Sequence, residues 1–82
     1  MSQDRTQLES YENDLRRLLH DEWGRRLAYR LLEEAGVWSV SFTGNSQTFF
    51  NEGRRDFGMQ LYRDLLAADR DNFHTMMREN EA

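Results

Sequence analysis

Gln7-Leu8-Glu9-Ser10-Tyr11-Glu12-Asn13-Asp14-Leu15-Arg16-Arg17-Leu18-Leu19-His20 places apolar side chains at positions 8, 11, 15, 18 and 19. Gaps of three and four residues put them on one face of an amphipathic helix. The opposite face carries Glu12, Asp14, Arg16 and Arg17, with Glu12 and Arg16 at the favourable i,i+4 spacing. The same periodicity continues beyond Asp21, a residue able to cap a second helix with its carboxylate. That helix runs through Trp23, Leu27, Ala28, Leu31, Leu32 and Ala35 and stops at Gly36, where a left-handed residue is easiest. The pattern leaves open whether these two helices are separate or form one bent rod.

Val37-Trp38-Ser39-Val40-Ser41-Phe42-Thr43 is the one stretch that alternates with period two. A lone strand has no pairing partner here, so the stretch reads as an ordered loop laying Trp38 and Phe42 against the core. Gly44-Asn45-Ser46 is turn chemistry. Ser46 or Thr48 then caps the longest helix, about residues 47 to 67, with Phe49, Phe50, Phe57, Leu61, Leu65 and Leu66 on its apolar side. Asp69 or Asp71 caps a short last helix carrying Phe73, Met76 and Met77. Residues 1–6 and 79–82 are expected to fray. The expectation is therefore all-α: one domain over residues 1–82, a small bundle of three to four helices with an aromatic loop between the second and third.

Composition supports this reading. The chain has 82 residues, no proline, no cysteine and no isoleucine, and valine only at Val37 and Val40. So few β-branched residues disfavour a sheet, and the lack of thiols removes a disulfide or thiolate-metal framework. A domain this small buries only about 60% of its unfolded surface, so a partner would help it. The net charge of −4 argues against general affinity for DNA or anionic membrane. No apolar run approaches the ~20 residues of a membrane span, and Met1-Ser2-Gln3-Asp4-Arg5 does not read as a signal peptide.

Gly24-Arg25-Arg26 and Gly53-Arg54-Arg55 share a tripeptide within helical stretches. Glycine there costs about 1 kcal/mol relative to alanine. Two matched costs suggest that two helices approach closely, with arginine forks beside the contact; a crossing shared by both glycines would combine Arg25, Arg26, Arg54 and Arg55 into one basic patch. All 11 basic residues are arginine, the side chain best suited to bidentate pairing at interfaces. Local acids can neutralise several of them, pairing Glu22 with Arg26, Arg30 with Glu34 and Glu52 with Arg55. One partly buried arginine, Arg26 or Arg55, is expected to organise a loop.

No catalytic constellation emerges. His20 and His74 are the only histidines, and His20 beside Asp21 and Glu22 reads as a solvated group near a helix end. Ser39, Ser41 and Ser46 lack a histidine and acid in a nucleophile arrangement. The expected catalytic, metal and cofactor sets are all none. The surplus of Trp23, Trp38, Phe42, Phe49, Phe50 and Phe57 suggests that one or two loop aromatics form a docking spot. The protein-binding residues expected on these grounds are Arg25, Arg26, Trp38, Phe42, Arg54 and Arg55.

Over residues 23 to 79 the chain resembles a family of short proteins of tailed bacteriophages, typically encoded among head and tail morphogenesis genes. The resemblance rests on Gly24-Arg25-Arg26-Leu27 with Leu31-Leu32, on Phe42-Thr43-Gly44-Asn45-Ser46-Gln47-Thr48, on Phe50-Asn51-Glu52-Gly53-Arg54-Arg55 and on Met76-Met77-Arg78-Glu79. It implies a non-enzymatic phage protein that acts by docking, as a virion component or assembly factor. The implied partners are other phage structural or assembly proteins, with self-association as a further option and neither membrane nor nucleic acid expected. It would be made in the host cytoplasm and could end in the virion. The rival expectation is a small DNA-binding or host-modulating phage regulator, for which Arg25, Arg26 and Arg30 are the nearest thing to a recognition helix.

Overall fold

Asp21 alone separates the first two helices. The computed structural model describes residues 5–38 and 46–81, with side chains described for residues 6–38 and 53–81. Its elements are α1 (Arg5–His20), α2 (Glu22–Glu34), α3 (Ser46–Ala68) and α4 (Arg70–Asn80). Among the described residues every regular element is a helix, so the fold is all-α and α1 and α2 are distinct. The aromatic loop beyond Trp38 lies outside the described residues.

The break at Asp21 has a backbone cause. Asp21 is extended (φ −102°), and its carbonyl accepts the Arg25 N–H at 3.0 Å to start α2. Its carboxylate makes no capping bond, contrary to the sequence expectation. The chain folds back so closely that a Cβ built on Gly24 would overlap the carbonyl oxygen of Leu18. Gly24 therefore marks a true close approach, which is why a buried glycine stands inside α2.

The end of α2 follows its sequence signal. Gly36 is left-handed (φ 78°). Its N–H donates to Glu33 O at 2.9 Å while Val37 N–H reaches back to Leu32 O at 3.1 Å. This paired closure satisfies carbonyls that the helix end would otherwise leave open, and it turns Val37 into the core beside Leu32.

Gly53 is a correction. It is exposed on α3 and has nothing within 4 Å of where a Cβ would stand. The crossing lies five residues further on, at Gly58, whose Cβ would come within 2.5 Å of Ala35 Cβ and 2.7 Å of Val37 Cγ2. The two Gly-Arg-Arg sites do not share one crossing. Each close-approach glycine instead meets a different part of the chain.

Between α3 and α4, Asp69 caps as expected, accepting Asn72 N–H at 3.1 Å and the Asn72 side-chain amide at 2.9 Å. Helix α4 continues through Asn80, into the stretch expected to fray. The four helices converge on Leu19, Leu32, Leu65, Phe73 and Met76, all fully buried. Each such side chain contributes about 1.5–3 kcal/mol by leaving water. Several expected core members stay outside: Trp23 and Phe57 are 56% and 71% exposed, and Leu27 and Leu31 are 45% and 46% exposed. The body is a plate of 41 × 40 × 16 Å. Its radius of gyration of 14.2 Å exceeds the ~12 Å of a near-spherical chain this long.

Candidate docking surface

Arg25 is built into the fold. Its side chain is 12% exposed. Nε and Nη2 donate to the two carboxylate oxygens of Glu79, at 2.7 and 3.0 Å. Nη1 donates to the carbonyls of Leu19 and His20, at 3.0 and 2.9 Å. One guanidinium therefore closes the C-terminal end of α1 and ties it to the end of α4. The hydrogen bond from Arg25 holds the Glu79 carboxyl below its ordinary pKa, and the same bond raises that of Arg25. Sequence reasoning placed this organising role on Arg26 or Arg55; the structure gives it to Arg25.

Arg16 does similar work from α1. Its Nε donates to the carbonyl of Ala68, the last residue of α3, at 3.0 Å. The planar fork of arginine suits such tasks, since several donors point in fixed directions at once.

The other expected site residues are dispersed. Arg26 is exposed and pairs with Glu22 at 3.7 Å, and Arg30 pairs with Glu34 at 2.9 Å, both as the spacing predicts. Arg54 is exposed on α3 and Arg55 half-buried. Arg55 Nε is the one buried side-chain polar atom lacking a hydrogen-bond partner among the described residues. The Glu52 side chain and all of Phe42 lie outside the described residues, so the Glu52–Arg55 pair and the Phe42 docking role do too.

Trp38 is exposed but tied to the core through its ring neighbours. Its ring stacks on Tyr29 at 5.4 Å and meets Tyr62 edge-on at 5.9 Å; Tyr62 in turn meets Phe73 at 4.9 Å. A relay of rings thus runs from the buried centre to Trp38, which remains 39% exposed. Offset and edge-on ring contacts add about 0.5–1.5 kcal/mol beyond area burial, so Trp38 is firmly held. A rigid aromatic at a surface suits docking, because little motion is lost when it is covered.

Helix α2 shows an inverted partition. Gly24, Ala28 and Leu32 face inward, while Trp23, Leu27 and Leu31 project outward. Helix α2 thus leaves a tryptophan and two leucines in water while Gly24 and Ala28 lie in the core.

A protein-family model for Bbp19-like phage proteins matches residues 15–78, well over half of the chain. The chain belongs to that family. Searches of curated proteins and of solved structures gave no match. The matched span starts at Leu15, the first buried residue of α1, and ends at Arg78, next to the Glu79 carboxylate. For this member of the Bbp19-like family, the span takes in the Arg25 clasp's carbonyl partners, the α2 stripe and Trp38.

A shallow cleft of about 360 Å³ lies between α1 and α3, lined in part by Leu8, Tyr11, Leu15, Gln60 and Asp64. Tyr11 OH donates to Asp64 Oδ2 at 2.8 Å and Gln60 Nε2 to Oδ1 at 2.9 Å. Burial, then the bond to Asp64 and its charge, raise the Tyr11 pKa. These groups satisfy one another and tie the two helices. No helix of the described residues is long and apolar enough to cross a membrane.

Sequence reasoning missed Gly58, Glu79, Arg16 and the Tyr11–Asp64 pair. Gly58 carried the same signal as Gly24, a glycine inside a helical pattern, but no arginine pair follows it. The others are contacts across more than 50 residues, which no local spacing reveals.

Proposed function

We propose that this phage protein is non-enzymatic and acts by docking on other morphogenesis proteins, as a virion component or an assembly factor. The observation that carries this reading is the outward row Trp23, Leu27 and Leu31, together with an exposed Trp38 and Phe57, on an 82-residue chain of a phage family. So much exposed aromatic and leucine surface on a small plate is costly in water and favourable once covered. The polar groups described above mostly join helix to helix, as Arg25, Arg16 and Tyr11 do, which supports a scaffold role. Arg26, Trp38, Phe42, Arg54 and Arg55 are the proposed contact residues; Arg25 holds in place α2, which carries Arg26.

Mass spectrometry of purified phage particles tests the reading. A virion component is present at a fixed copy number. An assembly factor is absent from particles but co-purifies with head or tail intermediates. If the protein is in neither, and instead shifts phage DNA in a gel with a steep salt dependence, it is a regulator and the proposal fails.

A further inference from the structure

Arg55 is half-buried on α3, and its Nε is closed to water with no hydrogen-bond partner among the described residues. Such an orphan is rare in a folded protein, and on a cation it is costly. By contrast, Arg16, Arg17, Arg25, Arg26 and Arg30 each lie within 4.0 Å of a carboxylate. The register of α3 accounts for part of the gap. Three and four residues on, on the same side of the helix, stand Gly58 and Met59, and neither side chain offers an oxygen. Asp56 is adjacent in sequence, but neighbours in a helix do not face each other. Gly58 is packed against Ala35 and Val37, which fixes this stretch of α3 in place.

A half-buried cation without its counter-charge weakens the isolated fold, and an apolar side chain of similar length would not. A residue that breaks a local rule with no gain to the fold is what a binding position looks like. We propose that Arg55 receives one carboxylate of a partner protein, an Asp or Glu side chain or a chain terminus, on its Nε and Nη2 edge. The molecule already contains a template for this contact. Arg25 gives the same edge to both oxygens of Glu79, at 2.7 and 3.0 Å. Two parallel N–H groups match a planar carboxylate, which makes the bond strong and directional.

Because Nε is closed to water in the free protein, that edge turns outward as the carboxylate arrives. The turn breaks no bond of Nε to the described residues, and the carboxylate supplies the one that is lacking. Duplex phosphate is a poorer fit. It is held by several open cations together, and the five arginines of α1 and α2 named above already have carboxylates beside them.

The inference rests on the docking function proposed above and names the chemistry of the partner at the contact. The Nε–Hε resonance of Arg55 in arginine-labelled protein reads the site directly, identified by its loss in Arg55→Met. Sodium acetate should shift it, and sodium chloride at the same ionic strength should leave it in place. Arg55→Met should raise the melting temperature by about 4 °C or more, since the orphan donor is gone. Arg63→Met, exposed on the same helix, should not raise it. The stabilised Arg55→Met protein should nevertheless bind head or tail intermediates about tenfold or more weakly than wild type. Arg55→Lys keeps the charge but loses the edge and should bind weakly too.

An Arg55→Met protein that melts below wild type overturns the inference, because the arginine then serves the fold. An equal loss in Glu52→Gln, with no further loss in the double variant, would identify Glu52 as its internal partner. An Hε that ignores acetate, or that responds to inorganic phosphate at lower concentration than to acetate, overturns it as well. Unchanged binding by Arg55→Met removes the site and leaves the docking function standing. A protein found in neither particles nor intermediates removes the docking function, and this partner with it, even where acetate still shifts the Hε.

Discussion

Arg25 and Glu79, 54 residues apart, are joined by two hydrogen bonds, Nε to Oε1 at 2.7 Å and Nη2 to Oε2 at 3.0 Å. The remaining amino group of Arg25 closes the carbonyl end of α1. Three helices meet in this one contact. Arg25→Ala should therefore lower the melting temperature more than Arg26→Ala, whose exposed i,i+4 pair is worth only a few tenths of a kcal/mol. Arg25→Lys should rescue poorly, because a point charge cannot serve the carboxylate and two carbonyls together.

The same contact sets a pH dependence. The Glu79 carboxyl is held below its ordinary value by the Arg25 hydrogen bond. A lowered folded-state pKa adds stability that is present above the unfolded pKa and is lost as pH falls through the folded one. Wild type should be more stable than Glu79→Gln at neutral pH. The difference should shrink as pH drops below the ordinary glutamate range of about 4.3. Thermal melts of both proteins between neutral and acid pH read this directly. A difference that stays constant down to the lowest pH would mean the pair contributes through shape and not charge.

Three helical glycines should respond in opposite directions. Gly24→Ala drives a methyl group into the Leu18 carbonyl, and Gly58→Ala meets Ala35 and Val37, so each should cost about 1–3 kcal/mol or more. Gly53→Ala meets open space on an exposed helix surface and should stabilise by about 0.5–1 kcal/mol through better helix propensity. Denaturant titration of the three variants gives both sign and size.

Those glycines also show how far the sequence could be read. Periodicity gave the helices and their stops because each depends on local spacing and local backbone chemistry, as at Gly36 and Asp69. It could not tell Gly24 from Gly53, because the cost of glycine in a helix is local while its reason, the Leu18 carbonyl or empty solvent, is tertiary. For the same cause periodicity marks Trp23, Leu27, Ala28, Leu31, Leu32 and Ala35 as the apolar residues of α2 without saying which of them the core takes. Helix packing decides, taking Gly24, Ala28 and Leu32 for close contact and leaving Trp23, Leu27 and Leu31 outside. Of the expected site residues, Arg26 and its pairing were legible, whereas the clasp of Arg25 needed a carboxylate 54 residues away.

Tyr11 and Asp64 give a second cross-helix test. Tyr11→Phe removes the hydroxyl that bonds Asp64 and should cost about 0.5–1.5 kcal/mol. The raised Tyr11 pKa means that its stabilising share is complete below the ordinary tyrosine value and is lost as pH rises through the folded one. Ultraviolet titration of the phenols should show one tyrosine ionising late in wild type, and that late step should vanish in Tyr11→Phe. Survival of the late step would mean that it does not come from Tyr11.

Folding and docking should separate along the ring relay. Phe73 is buried at one end, so Phe73→Ala should cost about 3–5 kcal/mol. Phe57 lies 71% exposed on α3, and Phe57→Ser should change stability by no more than about 0.5 kcal/mol. Trp38 sits between these cases, held by Tyr29 and Tyr62 yet open on one side. If exposed aromatics are the contact surface, Phe57→Ser and Trp38→Ala should both weaken co-purification with head or tail intermediates. Phe57→Ser should do so with an unchanged melting temperature, and Trp38→Ala with a lowered one. Arg54→Ala serves as the charged counterpart on the same helix. Normal binding by all three folded variants would move the contact surface elsewhere and leave these side chains without a docking role.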